Sequence, residues 1–363
     1  MHEHEDLPSG APAARAVSVI ATVFNEAATI PALLDSLAAQ TRPPDEVVVV
    51  DGGSTDGTVG AVRAWRAARP DGEALRLTLL ERPGANISQG RNAAIAAAAG
   101  PILAATDAGV RLVPGWLADL VAPIERGEAR WAAGFFTSAP EGAFETALGA
   151  TTLPEVEDID PTTFLPSSRS VAFLKADAAA IGGYPEWLDY CEDLVFDLRL
   201  KRIAGPPAFA PSAVARFRPR PTLARFARQY YLYARGDGKA DLWRRRHAIR
   251  YLTYVVAGPS LVGLAMFDSA LWWIVPAAGI VAMVAKPYRR LARQWQALTV
   301  GERVVAAWCV PVIRVTGDVA KMFGYPVGWA WRRRERPPDW RADGGSRRPQ
   351  KVRARGSHGP DAP

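Results

Sequence analysis

The sequence predicts an α/β protein: a doubly wound, mostly parallel sheet with helices on both faces, followed by a C-terminal α-helical membrane hairpin. Three observations carry this. Short apolar runs at 16–24, 45–50, 75–80 and 102–106 alternate with segments of helical periodicity. The run at 47–50 is four consecutive valines, the pattern of a central parallel strand buried on both faces. Further on, 251–267 and 269–285 are uncharged apolar runs of seventeen residues each, separated only by Asp268.

The chain has 363 residues, 49% of them hydrophobic, enough for one large domain or two smaller ones with a sizeable core. Its formal net charge is +7, and the excess Arg crowds the C-terminal third beside the apolar runs. That arrangement points to a membrane surface, while no zinc-finger spacing or basic heptad region supports a nucleic-acid partner. Cys191 and Cys309 suggest no disulfide framework, which fits a reducing compartment.

Residues 1–15 are polar and lack the apolar core of a signal peptide. His2 and His4 as metal ligands compete there with a plain disordered tail. The first strand, 16–24, leads to Asn25 and Glu26. Ile30, Leu33, Leu34 and Leu37 then recur at helical spacing, predicting an amphipathic helix over 26–40. The second strand, 45–50, runs into Asp51-Gly52-Gly53, with Asp56 and Thr58 as capping chemistry for a helix over 59–69. A third strand follows at 75–80. Ser88 is placed to cap a helix through Ala99, and Gly100 ends it. The fourth strand, 102–106, leads into Asp107-Ala108-Gly109.

Asn25, Asp51 and Asp107 thus all fall at carboxyl ends of strands, where open α/β sheets bind ligands. Neither GxGxxG nor GxxxxGK[ST] occurs. An Asp at a strand end accepts hydrogen bonds, so Asp51 suits a base or a ribose hydroxyl better than a phosphate. An ordinary βα turn with capping residues is the competing reading.

The segments VSVIATVFNEAATI, VVVVDGGSTDGT, GRNAAI and ILAATDAGVRLVPGWL, in this order, resemble the family 2 glycosyltransferases of GT-A fold. RSVAFLKADAAAIGGYPE and CEDLVFDLRL are similar to that family's acceptor region and Glu-Asp motif. The resemblance covers 16–238 and implies an inverting transferase that uses a nucleotide-activated sugar. It places Asp51 at the nucleoside, with Asn25, Glu26 and Arg91 nearby.

Sugar transfer from a nucleoside diphosphate needs charge neutralisation at the leaving group, a base for the acceptor hydroxyl, and in-line positioning. Asp107 is the candidate ligand for Mg²⁺ or Mn²⁺, held together with the substrate diphosphate. The family's pattern here is Asp-X-Asp, and Gly109 stands where the second carboxylate would be. A purely structural role for Asp107 in its turn is the alternative. Glu192 and Asp193 precede an apolar-periodic helix over 194–203, whose N-terminus favours an ionised carboxylate. The resemblance makes Asp193 the general base, with Glu192 orienting it or the acceptor, against simple helix capping. In 226–239, Gln229, Tyr230, Arg235 and a Gly236-Asp237-Gly238 turn loosely match a family motif near the diphosphate, with Arg235 as a neutralising cation. A solvated basic helix end competes. The acidic stretch at 143–163, with Glu155, Glu157, Asp158 and Asp160, reads as a loop, either solvated or bordering the acceptor.

Each apolar run would span roughly 26 Å at about 1.5 Å per residue, slightly short of a hydrocarbon core of about 30 Å. Arg244, Arg245, Arg246 and Arg250 precede the pair, and Lys286, Arg289, Arg290 and Arg293 follow it. Both flanks prefer the cytoplasm, predicting a hairpin with Asp268 outside. A buried helical pair or a re-entrant hairpin is the alternative. The predicted organisation is a tail at 1–15; a glycosyltransferase domain at 16–240, divided into a nucleotide-sugar half (16–125) and an acceptor half (126–240); the hairpin at 241–290; an interfacial amphipathic segment at 291–331; and a disordered basic tail at 332–363 that binds lipid headgroups. The expected function is transfer from a nucleotide-sugar donor to a lipid-linked or membrane-proximal acceptor, with the catalytic domain on the cytoplasmic face of the cell membrane. A catalytically weak or inactive nucleotide-sugar-binding membrane scaffold is the alternative. A nucleotidyltransferase ranks below both, because no Lys or Arg follows the first strand.

Overall fold

Val47 and Val49 enter one hydrophobic cluster and Val48 and Val50 the other, on opposite faces of β2 (Glu46–Asp51). This is the two-residue alternation of a strand covered on both sides. The computed structural model describes residues 16–69 and 75–341. The expectations for residues 1–15 and for the tail beyond 341 lie outside them.

β1 (Val17–Val23) sits centrally, parallel to β2 on one side and to β4 (Ile102–Asp107) on the other. β3 (Leu77–Glu81) extends the sheet beyond β2, also parallel. The remaining strands are β5 (Val110–Leu112), β6 (Trp131–Ser138), β7 (Val171–Leu174) and β8 (Ala208–Phe217). The full order is β3-β2-β1-β4-β7-β6-β8-β5. β3, β2, β1 and β4 are mutually parallel, as predicted, while β5 pairs antiparallel with β8. β7 runs antiparallel to both β4 and β6, which turns the second half into a mixed sheet.

Helices cover both faces. On one, α1 (Ile30–Ala38), α2 (Thr58–Ala67) and α4 (Trp116–Glu125) bury Leu33, Leu37, Val62, Trp65, Trp116 and Leu120. On the other, α3 (Ile87–Ala97) and α7 (Glu192–Ala204) bury Ala94, Ile95, Phe196 and Leu200. α1 starts four residues later than predicted, with Pro31 in its first turn, a position that needs no amide donor. α3 is capped by Asn86, not by Ser88: Asn86 and Gln89 form a reciprocal capping box. Ser88 lies inside the helix and donates to the Leu188 carbonyl at 3.0 Å.

Four further expectations are corrected. The stretch read as an acidic loop opens with α5 (Ala143–Thr152). Its carboxylates then serve a docking role, described below. The predicted turn at Gly236 to Gly238 is absent, because α8 (Leu223–Ala240) runs straight through after α6 (Lys175–Ala180) and α7. The amphipathic segment is one 36-residue helix, α12 (Val300–Glu335), which packs along α8 and α5. It keeps an exposed apolar stripe at Val304, Trp308, Val312, Val315, Val319 and Phe323. The start of the expected tail is ordered: α12 continues to Glu335, and Trp340 is buried, donating to the Ala240 carbonyl at 2.7 Å.

The hairpin is built from α9 (Arg244–Tyr251), a widened turn at Leu252–Ala257, and α10 (Gly258–Phe267), followed by a short turn and α11 (Ile274–Arg293). Arg244–Phe267 and Ala270–Arg293 are each long and apolar enough to cross a membrane. Large side chains such as Val255, Met266, Phe267, Leu271 and Ile280 face outward. The basic end of α11 returns to the α/β domain. Arg290 Nη2 and Lys286 Nζ meet Asp158 at 2.6 and 2.8 Å, and Arg293 meets Glu155 at 2.6 Å. Lys286 and Arg290 hold the Asp158 carboxyl well below the usual range. Both ends of the hairpin are therefore fixed to the same body.

Candidate active site

Three loops at the carboxyl edge of the parallel strands share one hydrogen-bonded rim. Asn25 takes a left-handed conformation, φ 56°, and its Oδ1 accepts from Thr55 N at 2.9 Å. Asn25 N and Glu26 N donate to Ser54 Oγ and Thr58 Oγ1, both at 2.8 Å. Asp56 accepts from Thr58 and from Ala27 N, which hold its carboxyl below the usual range. Asp51 is buried and accepts from Gly53 N and Ser54 N at 2.9 Å each. Gly53 turns the chain at φ +103°, open to glycine at little cost. A Cβ on Gly52 would stand 3.0 Å from the Ala85 carbonyl, so this rim closes tightly on the loop before α3. The structure thus brings Asn25, Glu26 and Asp51 together, with the Asp51 carboxylate engaged by its own turn.

The second group lies deeper. Arg91, on α3, is 4% exposed. Its Nη2 donates to Asp107 Oδ1 at 2.9 Å and its Nη1 to Glu192 Oε1 at 2.6 Å. Arg169 approaches the other oxygen of Asp107, Nε to Oδ2 at 3.6 Å. Asp193 follows Glu192 at the start of α7, where Cys191 bends the chain into the helix at φ 63°. Asp193 Oδ1 accepts from Leu194 N at 2.9 Å.

Three carboxylates share two guanidiniums here, and the electrostatics follow. Against the pull of burial, Asp107 and Glu192 hold Arg91 firmly charged. Burial and the neighbouring Asp193 push Glu192 up to about 7. Burial also pushes Asp193 up, although Arg91 and Arg169 oppose it. The sequence had suggested the opposite, a carboxylate kept ionised by the helix start. Desolvation outweighs the helix dipole at this depth. One turn later, Asp197 is buried with an Oδ2 that has no hydrogen-bond partner among the described residues; burial and Asp193 push its carboxyl well above the ordinary value.

Gln229 and Arg235 are not joined to this group in the same way. Gln229 Nε2 donates to Tyr233 Oη at 2.7 Å, and Tyr233 interacts with Arg169. Arg235 pairs with Asp189, which Lys239 Nζ also meets at 2.8 Å. The guanidinium that joins Arg91 beside Asp107 is therefore Arg169, not Arg235, and sequence reasoning missed it. Its signal was present: Arg169 stands two residues before a strand that pairs with β4.

As a metal site the group is a poor fit. Both oxygens of Asp107 already face guanidiniums, and a divalent ion would have to displace one of them. Among the described residues, no three His, Cys, Asp or Glu side chains cluster to hold an ion.

Residues 18–168 match the model of glycosyl transferase family 2. The chain is similar there to the family 2 glycosyltransferases. It is 33% identical over 108 residues to validoxylamine A glucosyltransferase of Streptomyces hygroscopicus subsp. limoneus, a match covering 29% of this chain and only 23% of that relative. The domain's fold is GT-A: the structure is similar to the mannosyltransferase PcManGT of Pyrobaculum calidifontis, solved with GDP-Man and Mn²⁺. That match has a TM-score of 0.57 and 21% identity, covering 86% of this chain and 88% of that one. A more distant match is S. aureus TarS 1–349, with a TM-score of 0.45 and 19% identity over 88% of this chain and 92% of that one. The family match ends at residue 168, before Arg169, Glu192 and Asp193.

Proposed function

We propose that this chain is an inverting glycosyltransferase that moves a sugar from a nucleoside-diphosphate sugar to a lipid-linked acceptor at the cytoplasmic face of the cell membrane. The observation that carries the reading is Arg91 joining Asp107, at the end of a donor-half strand, to Glu192, at the start of the acceptor-half helix. The similarity to validoxylamine A glucosyltransferase and to a mannosyltransferase solved with GDP-Man supports that reading.

In this reading, the rim of Asn25, Glu26 and Asp51 receives the nucleoside. Asp193 is the base. It takes the proton of the acceptor hydroxyl as that oxygen attacks the anomeric carbon, and the nucleoside diphosphate leaves from the opposite side. A base raised by burial holds a proton near neutral pH better than an exposed carboxylate does. Glu192 and Arg91 fix its position. Arg169, partly open to solvent, faces the developing charge on the diphosphate. Residues 16–125 form the donor half and 126–240 the acceptor half. The outward apolar side chains of α10 and α11 and the stripe on α12 support a reading in which the acceptor side meets a membrane, with Asp268 at the far tip of the hairpin.

The test is purified protein with a panel of nucleotide sugars and a membrane lipid extract, alongside Asp193→Asn. Transfer by the wild type, with its loss in the variant while donor binding survives, is the expected result. Normal turnover in Asp193→Asn would sink the base assignment. No turnover by the wild type with any donor would favour the scaffold reading.

A further inference from the structure

Between the base of the hairpin and the end of α12 lies a cavity of about 1020 Å³. Arg244, His247 and Tyr251 line one side, and Trp329, Arg332 and Arg336 the other. It shares no residue with the Asp107–Glu192 cluster.

Its charge is unbalanced. Arg244 is matched by Asp241, its Nη2 donating to Oδ2 at 2.9 Å. Arg332, Arg333 and Arg336, which also line the cavity, have no carboxylate partner among the described residues. Arg332 donates to the Lys239 carbonyl at 3.0 Å, and Arg333 lies 3.4 Å over the Trp329 ring, so both are held in place without being neutralised. The wall is rigid as well. His247 is buried, meets Asp237 at 3.1 Å and stacks on Tyr325 at 3.9 Å. Fixed guanidiniums with free donors match the geometry of a phosphate.

The cavity's position selects the kind of phosphate. Its lining on α9 belongs to the first two turns of the Arg244–Phe267 span. The exposed apolar side chains of Leu252, Val255 and Val256 follow directly. A polar group seated among the arginines would leave a hydrocarbon chain beside those residues. We propose that this cavity binds the phosphate of an anionic membrane lipid, whose chains lie along the apolar face that begins at Leu252. Basic pockets at the cytoplasmic base of membrane helices are where such headgroups bind.

The proposal rests on the membrane part of the reading above and not on sugar transfer. Binding is measured without a donor, so its failure and a failure of catalysis are distinguishable. The full chain in detergent is tested by native mass spectrometry with dihexanoyl phosphatidylglycerol, and separately with inorganic phosphate. It is also captured on phosphatidylcholine vesicles with and without phosphatidylglycerol. Two charge-matched variants are compared: Arg332→Ala/Arg333→Ala/Arg336→Ala, and Arg225→Ala/Arg228→Ala/Arg245→Ala, whose arginines are exposed and do not line the cavity. The cavity variant is expected to weaken lipid retention and anionic-vesicle capture by about tenfold or more, and the control by less than about twofold. Equal losses in the two variants would overturn the proposal in favour of general surface charge. Inorganic phosphate binding as tightly as the short-chain lipid would overturn it in favour of a free-phosphate site. Should the triple variant fail to fold, Arg336→Glu, at an exposed position, is read against the same outcomes.

Discussion

Asp107 and Arg169 face each other across neighbouring strands, Oδ2 to Nε at 3.6 Å. The register sets this. β4 and β7 pair antiparallel with Ala105 opposite Val171, so two residues forward from Ala105 and two back from Val171 bring Asp107 level with Arg169. Thr106 Oγ1 donates to the Arg169 carbonyl at 3.1 Å and pins the pair. A carboxylate so engaged offers little to a free ion. Nucleotide-free protein is therefore expected to bind Mn²⁺ no more tightly than the millimolar range, an affinity worth only about 4 kcal/mol. Isothermal titration checks this, and saturation at micromolar Mn²⁺ would show that the ion displaces an arginine.

Arg91 holds two carboxylates from a buried position, so removing it leaves Glu192 desolvated and unpaired. Arg91→Ala is expected to cost about 3–5 kcal/mol of stability. Arg91→Lys should restore little, since one ammonium cannot reproduce two donors aimed at two different residues. Urea denaturation measures both. The cost of Arg91→Ala should shrink at low pH, where Glu192 is neutral and needs no cation.

Glu192 also sets a pH dependence. Its carboxyl is raised from 4.5 to about 7 in the folded protein. A raised carboxyl favours folding in its protonated form. The stabilisation is complete below the unfolded value and is lost as pH rises through about 7. Relative to Glu192→Gln, which cannot titrate, the wild type should lose stability across that window. Activity adds a second readout. Gln removes a negative neighbour of Asp193 and frees Arg91, and both changes lower the Asp193 pKa. The acid limb of the rate profile should move to lower pH in the variant; a shift to higher pH would refute the coupling.

The donor half was legible because its signals are local. Four valines, a strand-end Asp and a glycine turn specify β2 and its loop without reference to anything distant. The acceptor half depends on pairings that sequence spacing does not display. Arg169 reaches Asp107 only through an antiparallel register, and Asp158 meets Arg290 across more than a hundred residues. Asp237 looked like part of a turn because glycines flank it, yet Gly236 and Gly238 are there for close packing. Cβ atoms on them would stand 2.5 Å from the Tyr190 carbonyl and 2.3 Å from the Tyr325 carbonyl. The acidic stretch looked solvated because its basic partners lie on the far limb of the hairpin.

The same kind of packing explains why the amphipathic segment proved to be a long docked helix. Gly324 and Gly328 are four residues apart and face α8 on one side of α12. A Cβ on Gly324 would lie 2.1 Å from the Tyr231 carbonyl, and one on Gly328 would lie 1.9 Å from the Arg235 carbonyl. Neither neighbour is a flexible side-chain end, so the helices themselves would have to separate. Small residues at this spacing let two helix backbones approach, an arrangement common where helices pack beside a membrane. Gly328→Ala is expected to lower stability by about 1–3 kcal/mol through overpacking, despite the better helix propensity of Ala. The displacement should also loosen Arg235, whose carbonyl is the obstructing atom, and with it the pairing to Asp189. Hydrogen exchange along α8 reports this: faster exchange around 231–239 in Gly328→Ala, with β1 and β2 unchanged. Ala at Gly301, where a Cβ meets nothing within 4 Å, is the control and should be neutral or slightly stabilising. Equal behaviour of the two variants would show that α12 is not seated on α8 through its glycines.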